Sequence, residues 1–297
     1  MPAPATLPAL SAALAAATGR RVAARPGPAV AGGSINKCVQ WPSSEGTLFV
    51  KLAEAGRLDM FEAEAAGLRE LATAGAVRVP AVLGFGHSGD RAFLALEWID
   101  FGSASAGTEA ALGEQLARLH CTTAGRFGWH RDNTIGATPQ PNAWSADWAD
   151  FFGRQRIGFQ LDLVERGGDS GRWLERGRRL VERLPTLLAG HRPRASLLHG
   201  DLWGGNWAAD ASGAPVIFDP ATYYGDREAD LAMTRLFGGF GAEFYAAYES
   251  AWPLEAGAEM RRDLYNLYHV LNHLNLFGGG YRGQAERMIE RLLVESG

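Results

Sequence analysis

The chain has 297 residues and a formal net charge of −4, with 46% hydrophobic and 21% charged residues. This length and composition are typical of a globular protein with one or two hydrophobic cores. The mild acidity argues against a nucleic-acid-binding protein, which usually presents a basic face. Lys37 and Lys51 are the only lysines, so any role that requires a lysine falls to one of these two.

Two cysteines, Cys38 and Cys121, are far too few for a disulfide framework. Neither stands in a pair with the spacing of a metal site. We therefore expect two buried thiols in a protein of the reducing cytoplasm.

The N-terminal residues 7–17 are apolar and rich in alanine, as a signal peptide would be. No positively charged segment precedes them, and Leu7, Leu10 and Leu14 recur at helical spacing. An amphipathic surface helix is therefore favoured. No run approaches the roughly 18 apolar residues that span a membrane, so we expect no membrane partner.

The first hundred residues predict a small β-rich part with one helix. Short segments bounded by Gly, Pro or Ser predict strands, and apolar residues at helical spacing predict the helix. The predicted strands are residues 21–26, 29–33, 37–41, 47–52, 79–84 and 91–98, and the helix is 59–74. We expect a five-stranded sheet plus this helix in an N-lobe of residues 1–99.

A larger, mainly helical part follows, with a hinge near residues 98–107. Helices are predicted at 108–120, 148–166, 171–188, 228–237 and 259–277, with a strand at 215–218. The sequence therefore predicts an α+β protein with two lobes, the second of which is a C-lobe of residues 100–297.

The strongest chemical signal is HGDLWGGN at residues 199–206, which follows a hydrophobic strand. Its pattern H-x-D-x-x-x-x-N is that of a kinase catalytic loop, in which the Asp accepts the proton of the substrate hydroxyl and the Asn holds a magnesium ion. Asp201 and Asn206 take these positions. Asp219, after the apolar strand, can supply the second metal ligand. An ordinary turn and a strand-ending aspartate would explain each feature alone, but their order favours a kinase.

Two other strings imitate kinase motifs. Residues 100–102 spell DFG and residues 130–132 spell HRD, but their order is reversed relative to a kinase. Position 137, five residues past Asp132, is alanine where a metal-binding Asn is needed. Both strings are therefore interpreted as coincidences.

The N-terminal part contains the elements of a nucleotide site. Gly32, Gly33, Ser34 and Asn36 lie in a glycine turn between two strands, where backbone N–H groups can approach phosphates. A Gly-Gly hairpin is the alternative for the turn. Lys51 follows in an alternating strand, where it can pair with the α- and β-phosphates. An edge lysine that guards the strand is the alternative for Lys51.

A carboxylate on the next helix is expected to hold Lys51. Glu64 lies closer than Glu62 to the centre of the apolar stripe of that helix, so Glu64 is the predicted partner. The alternative is that both glutamates are solvated. By the kinase pattern, the segment LEWI at residues 96–99, which includes Glu97 and Ile99, is expected to connect the lobes and to bind adenine through its backbone. The alternative for its side chains is that they only pack.

Together these strings resemble the fructosamine/ketosamine-3-kinase family over about residues 20–293. Besides residues 199–206, the resemblance rests on FDPA with YYG at 218–225, FGGF at 237–240, LNHLN at 271–275, and Pro141-Asn142 with Trp144, Asp147-Trp148 and Phe151-Phe152.

The resemblance implies a bilobal protein-kinase-like fold related to aminoglycoside phosphotransferases, with ATP and Mg²⁺ as cofactors. It implies phosphorylation of the sugar 3-hydroxyl of ketosamines, after which the 3-phosphate eliminates and frees the amine, so that the enzyme would repair glycated amines. Some relatives carry a cysteine in the glycine turn where this chain has Ser34, so a disulfide switch at that position is excluded.

Trp203 and His273 are the predicted substrate residues. Trp203 follows Asp201 by two residues and can stack on the sugar or its amine carrier, although a structural Trp is an almost equal alternative. Asn272, His273 and Asn275 interrupt an apolar helix, and their polar groups need partners that a ligand or the catalytic loop could supply. A satisfied core histidine is the alternative for His273.

Three rival functions stay open at this stage. An aminoglycoside kinase would need an acidic cleft, and a choline kinase an aromatic and acidic cage. A nucleotide-binding pseudokinase would lack a catalytic residue, and none is missing from the motifs. The expected partner is a small-molecule or protein-bound ketosamine; the oligomeric state is open, with a monomer favoured.

Overall fold

A computed structural model of the protein describes residues 5–30 and 36–295. The α-helices in this part of the chain are α1 (Leu7–Thr18), α2 (Leu58–Ala74), α3 (Ala106–His120), α4 (Trp148–Phe152), α5 (Phe159–Arg166), α6 (Arg172–Leu187), α7 (Glu228–Leu236), α8 (Ala242–Ala251), α9 (Ala258–Phe277) and α10 (Arg282–Glu295). A π-helical turn, Gly153–Gly158, joins α4 to α5, and short 3-10 turns cover Ala55–Arg57 and Gly279–Tyr281.

The β-strands of the same ranges are two to nine residues long. They are β1 (Ala29–Val30), β2 (Lys37–Ser43), β3 (Gly46–Glu54), β4 (Val82–Ser88), β5 (Arg91–Glu97), β6 (Phe101–Gly102), β7 (Thr123–Ala124), β8 (Asn133–Ile135), β9 (Thr138–Gln140), β10 (Ala195–Leu198), β11 (Trp207–Asp210), β12 (Pro215–Ile217) and β13 (Tyr223–Gly225).

Two compact units make up the chain. The β-rich unit consists of Met1–Thr108 and Gly205–Pro220, and the helical unit consists of Glu109–Gly204 and Ala221–Gly297. The predicted lobes of residues 1–99 and 100–297 stay a prediction.

The β-rich unit contains the predicted five-stranded sheet, in the order β1-β2-β3-β5-β4, with α1 and α2 packed on it. The pairs β2–β3, β3–β5 and β4–β5 are antiparallel. As in every β-strand, successive side chains point to opposite faces of the sheet. A second sheet, in the order β12-β11-β6, holds the segment of residues 205–220 in this unit. The predicted strand at 21–26 is wrong, because only Val22 pairs there, in an isolated bridge to Ser43.

Helix α1 begins with a capping hydrogen bond from Ala9 N–H to Thr6 Oγ1 and has Pro8 in its first turn. The expected surface helix is present, but it contributes to the core. Leu10 and Leu14 pack with Trp41 of β2 against the sheet and are at most 5% exposed. Burial of each leucine contributes about 1.5–3 kcal/mol, so this N-terminal segment is part of the folded unit.

The helical unit is built around α9, which packs against α5, α7 and α10. A small sheet in the order β13-β10-β7 and the β8–β9 hairpin accompany the helices. The five helices predicted for this part of the chain are present, with a π-helical turn inside the segment 148–166. The sequence analysis missed α8 and α10, although both have buried apolar residues at helical spacing.

The thiol prediction holds for one cysteine only. Cys38 is buried in β2, but Cys121 is exposed, because α3 ends at His120 and Cys121 stands in the turn that follows. In the described residues, no helix combines the length and the apolarity that a membrane crossing requires.

Candidate active site

Lys51 of β3 lies between two carboxylates in the β-rich unit. Its Nζ is 2.6 Å from Glu64 Oε1 on α2 and 2.6 Å from Asp219 Oδ1. Glu64, the residue favoured over Glu62, therefore forms the ion pair with Lys51. Burial alone would lower the pKa of Lys51, but the charges and hydrogen bonds of Asp219 and Glu64 raise it well above its ordinary value. The lysine consequently keeps its positive charge at every physiological pH.

Asn206 and Asp219 flank the β11–β12 hairpin and are brought together by its antiparallel pairing. Trp207 pairs with Ile217, so the residue before β11 lies beside the residues after β12. The Phe218 N–H donates to Asn206 O at 3.0 Å, and Asn206 Nδ2 lies 3.5 Å from Asp219 O. The hairpin thus supplies an amide oxygen and a carboxylate, the ligand types that Mg²⁺ prefers.

Asp219 adopts a left-handed backbone conformation, with φ at 58°. It is the one residue other than glycine with a positive φ in the part of the chain that the structure describes. Aspartate tolerates this conformation better than most residues, although it is a strained one. The turn directs the carboxylate toward Lys51.

The predicted glycine turn cannot be placed, since Gly32, Gly33 and Ser34 lie outside the described residues. Asn36 is half-buried at the start of β2, with its carbonyl oxygen 3.8 Å from Cys38 Sγ. Its predicted nucleotide contact stays a prediction.

The predicted adenine-binding segment follows β5. Glu97 is the last residue of that strand, and its carboxylate accepts hydrogen bonds from Arg78 Nη2 at 2.8 Å and from Ala81 N–H at 3.1 Å. Ile99 is half-buried just beyond the strand. These contacts occupy the Glu97 carboxylate, and adenine binding through the backbone of this segment stays a prediction.

The loop with Asp201 belongs to the helical unit and is anchored by Asp230 of α7. Asp230 Oδ2 accepts a hydrogen bond from His199 N–H at 2.7 Å, and Oδ1 accepts one from Gly200 N–H at 2.8 Å. His120 Nε2 lies 3.2 Å from Oδ2 of the same carboxylate. Because Asp230 is only 1% exposed, these bonds form away from water and fix the backbone directly before the half-buried Asp201.

The electrostatics of Asp230 favour its ionised form. Burial raises the pKa of Asp230, but the hydrogen bond and charge of His120, the charge of His199 and the Gly200 N–H together lower it below its ordinary value. The carboxylate is therefore ionised at neutral pH, as an acceptor of two backbone N–H groups should be.

Gly200 cannot be replaced by a residue with a side chain. Its φ is +84°, and a Cβ there would lie 2.1 Å from the carbonyl oxygen of Ala221. The Ala221 N–H in turn donates to His199 O at 2.9 Å. The glycine of the motif therefore allows the loop to lie directly against the segment that begins at Ala221.

Trp203 and His273, the predicted substrate residues, both lie in the helical unit. Trp203 is 40% exposed. The next residue, Gly204, meets the turn after α7: a Cβ on Gly204 would lie 2.9 Å from Gly239 Cα and 3.0 Å from Gly238 O. Directly before that turn, the ring of Phe237 lies 4.7 Å from that of His273.

The polar residues that interrupt α9 have partners within the helical unit. Gln160 of α5 donates to Asn272 Oδ1 at 3.4 Å, and Asn275 Nδ2 donates to Gln160 Oε1 at 2.7 Å. His273 Nδ1 lies 2.8 Å from His269 O. Asn272 and Asn275 thus have hydrogen-bond partners on a neighbouring helix, whereas His273 bonds within α9 through one nitrogen and is half-buried.

Comparison with known proteins identifies the family of the chain. The fructosamine kinase family profile matches residues 6–295. The chain belongs to this family. The predicted resemblance is thereby confirmed, and so is the interpretation of the chain as a phosphotransferase enzyme.

Relatives of this fructosamine kinase family member include a Synechocystis protein named probable ketoamine kinase, 48% identical over 89% of each chain. A chloroplastic protein-ribulosamine 3-kinase of Oryza sativa subsp. indica is 44% identical, over 89% of this chain and 78% of the rice protein. The crystal structure of a candidate fructosamine-3-kinase from Haemophilus somnus 129PT covers 96% of this chain and 97% of its own, with 31% identity and a TM-score of 0.86. The predicted kinase-like α+β fold is therefore confirmed.

Sequence reasoning missed two sets of residues in this family member. One is Asp230, whose only sequence signal is its place in an acidic first turn of α7. The other is a buried network in which Gln140 Nε2 donates to Ala221 O at 3.0 Å, Asn133 Nδ2 donates to Thr222 O at 2.7 Å, and Gln140 Oε1 accepts from Tyr268 at 2.7 Å. The network fixes the segment on which Gly200 rests.

Arg156, in the π-helical turn, extends this network. It is fully buried; Nη2 donates to Asn142 Oδ1 at 2.7 Å, and the guanidinium lies 4.1 Å from the centre of the Tyr223 ring. π-Helical turns are rare and are often found at functional sites. Here the turn places a cation beneath β13.

A second cluster of possible metal ligands is His191, Asp226 and Glu228. Arg261 donates to both carboxylate oxygens of Glu228, at 2.7 and 2.8 Å, and His191 Nε2 lies 2.6 Å from Asp226 Oδ2. A guanidinium beside the ligands disfavours a bound cation, so this cluster is best interpreted as a buried hydrogen-bonded network.

Proposed function

We propose that the protein is an ATP-dependent kinase that phosphorylates the sugar 3-hydroxyl of ketosamines. The observation that carries the proposal is the position of Lys51 between Glu64 and Asp219, 2.6 Å from each carboxylate. In protein kinases a strand lysine paired with a helix glutamate contacts the phosphates of ATP, and a nearby aspartate holds Mg²⁺. The ketosamine class is supported by the names of the ketoamine and ribulosamine kinases that the chain resembles.

In the proposed reaction Asp201 accepts the proton of the 3-hydroxyl. The hydroxyl oxygen attacks the γ-phosphorus of ATP in line, and the bond from that phosphorus to the bridging oxygen of ADP breaks. The anchoring of the loop by Asp230 keeps Asp201 in one position, which is the main contribution that a kinase makes to this chemistry.

The phosphate charge would be met by Lys51, Asn206 and Asp219. The ammonium of Lys51 pairs with phosphate oxygens, while Asn206 and Asp219 present the oxygen ligands that suit Mg²⁺. When bound there, Mg²⁺ would neutralise charge that develops on the transferred group. Because Lys51 is 4% exposed, its charge acts in a medium of low dielectric constant.

The product is expected to lose its 3-phosphate by elimination and so to release the amine. The activity would then serve deglycation of protein-bound or small ketosamines. The cytoplasmic location and the monomeric state expected from the sequence stay predictions.

A coupled assay of ADP formation with fructose-, ribulose- and erythrulose-lysine tests the proposal. We expect turnover that requires the ketosamine and Mg²⁺, and a product phosphorylated on the 3-hydroxyl. Turnover of aminoglycosides or choline but of no ketosamine would contradict the proposed substrate class.

The Asp201→Asn variant tests the role of the base. It should lose transfer while nucleotide binding survives, because Asp201 is assigned to the acceptor rather than to ATP. Near-native turnover of this variant would show that Asp201 is not the base.

A further inference from the structure

His273 of α9 lies at the centre of an aromatic cluster in the helical unit. Its ring centre is 4.7 Å from that of Phe237, 5.4 Å from Phe277 and 5.2 Å from Tyr281. Phe237 is 41% exposed and Phe277 is 59% exposed. Two phenyl rings are thus accessible to solvent around one histidine, an arrangement that core packing does not require. We refer to these four residues as the His273 cluster.

The hydrogen bonding of His273 defines its tautomer. Nδ1 lies 2.8 Å from the carbonyl oxygen of His269, and a carbonyl can only accept, so Nδ1 carries a hydrogen. Burial lowers the pKa of His273 below its ordinary value, although the bond to His269 acts in the opposite direction. The ring is therefore neutral near pH 7. Its Nε2 is then a hydrogen-bond acceptor.

The His273 cluster adjoins the catalytic loop. Phe237 directly precedes Gly238 and Gly239, whose backbone is in van der Waals contact with Gly204. Gly204 follows Asp201 by three residues. This glycine contact joins the cluster to the loop that bears Asp201. For a substrate whose hydroxyl is at Asp201, the order of chemical groups along the molecule decides which part would meet the rings.

In a ketosamine the amine nitrogen is three bonds from the carbon that bears the 3-hydroxyl. This nitrogen is a secondary alkyl amine, which is protonated near neutral pH. Beyond it lies the carbon chain of the amine carrier. The part of the substrate that follows the sugar is therefore a cation attached to an apolar stem.

The basic side chains near the cluster bind elsewhere. The guanidinium of Arg235, at the end of α7, lies 3.7 Å from the centre of the Tyr245 ring. Arg282, beside Tyr281, pairs with Glu286 at 2.9 Å and with Asp169 at 3.0 Å. The guanidinium groups of Arg235 and Arg282 therefore do not occupy the His273 cluster. The aromatic faces and the acceptor nitrogen of the cluster suit a positively charged ligand.

We propose that the His273 cluster binds the cationic amine of the ketosamine and the first part of its carrier. His273 Nε2 accepts a hydrogen bond from the ammonium, and Phe237, Phe277 and Tyr281 surround the charge with their rings. This inference rests on the proposed function, because it assigns the cluster to the substrate of the same site. It predicts selection for a charged amine rather than for the sugar alone.

The test compares two ligands that differ only in the substitution, and hence the charge, of the amine nitrogen. One is α-blocked fructosyl-lysine, with its secondary ammonium; the other is the same compound acetylated on that nitrogen, which is neutral. Dissociation constants are measured by calorimetry, without turnover. The neutral ligand loses the cation–π contacts and the N–H donor that faces His273 Nε2, so we expect the wild type to bind the cationic ligand about 3- to 30-fold more tightly.

The variants are Phe277→Leu, Phe237→Leu and His273→Phe, with Trp144→Leu as control. Trp144 is an exposed aromatic residue of the same unit that packs on Tyr224. Each cluster variant should weaken binding of the cationic ligand several-fold and leave the neutral ligand nearly unchanged, whereas the control should alter neither. Because Phe277 is largely exposed, its replacement should not disturb folding, which a melting temperature checks.

Equal affinity of the wild type for both ligands, or an equal loss of both in Phe277→Leu, would overturn the inference. Turnover distinguishes this failure from failure of the proposed function. A protein that binds the cation through the cluster but phosphorylates no ketosamine would contradict the proposed function alone. A protein that phosphorylates ketosamines with the same charge dependence in every variant would contradict the cluster assignment alone. Binding of neither ligand would contradict both.

Discussion

Asp230 Oδ1 accepts a 2.8 Å hydrogen bond from the backbone N–H of Gly200, the residue directly before Asp201. With the bond from His199 N–H to Oδ2, one buried carboxylate holds two consecutive peptide groups. Asp230 touches neither substrate nor nucleotide in the proposed reaction, so it is a positioning residue.

Replacement of Asp230 by Asn should therefore lower kcat with little effect on the KM for ATP. The amide would place a donor against a backbone N–H and would displace the loop; a misplacement of about 1 Å can reduce a rate about 100-fold. The control is Asp226→Asn, just before α7, since Asp226 bonds to His191 and Tyr265 rather than to the loop. Steady-state kinetics and melting temperatures of both variants check this. If both variants are less stable but have normal kinetics, Asp230 has a structural role only.

Lys51→Met should reduce kcat/KM by on the order of 100-fold or more, as the removal of a preorganised charge does. The variant also leaves the nearly buried Glu64 without its cation, which should destabilise the β-rich unit by about 3–5 kcal/mol. Lys37→Met is the matched control, because Lys37 is the other lysine and is exposed on the neighbouring strand β2. Similar kinetics for the two variants would contradict the assignment of Lys51 to the nucleotide.

Trp203→Ala should impair the kinetic parameters for the ketosamine much more than the KM for ATP. An aromatic contact with a sugar is worth on the order of 1 kcal/mol, which is a factor of roughly ten at most. The 40% exposure of Trp203 makes a large effect on folding unexpected. An equal rise of the KM values for ketosamine and ATP, or a less stable protein with normal kinetics, would show that Trp203 has a structural role rather than a role in substrate binding.

The His191–Asp226 pair predicts a pH dependence of stability. Burial lowers the pKa of His191, but the hydrogen bond and charge of Asp226 outweigh it and raise the pKa above 6.5. Burial raises the pKa of Asp226, but the bonds and charge of His191 and the bond from Tyr265 lower it below 3.8. The pair therefore makes its full contribution to the stability of the folded protein between pH 3.8 and pH 6.5, the ordinary pKa values of the two groups. Its contribution is lost as the pH rises through the raised pKa of His191 or falls through the lowered pKa of Asp226.

His191→Gln should accordingly lower the free energy of unfolding more at about pH 5.5 than at about pH 9. Urea denaturation at both values measures the difference. Glu255→Gln serves as control, because Glu255 lies 3.4 Å from His191 Nδ1 but its carboxylate is 69% exposed and should contribute little. The same loss for His191→Gln at both pH values would contradict the charged pair.

The local geometry of the candidate site was predictable from sequence because it depends on short spacings. The spacing of five positions from Asp201 to Asn206 is a short motif. The alternation of β3 that turns Lys51 inward and the helical stripe that favours Glu64 over Glu62 follow from backbone periodicity. Periodicity also predicted α2, α3, α6, α7 and α9. The family resemblance rested on strings of the same kind.

The tertiary structure alone decided which distant groups meet. Asp230 follows Gly200 by thirty residues, and no pattern in the sequence states that its carboxylate rather than that of Asp226 accepts the loop N–H groups. Likewise, Asn272 and Asn275 needed partners, and only packing of α5 on α9 assigns Gln160 to both. The same holds for the rings around His273. A backbone pattern specifies where a side chain points, but its partner depends on how helices and loops close around it, because hydrogen bonds and ring contacts act over only a few ångströms.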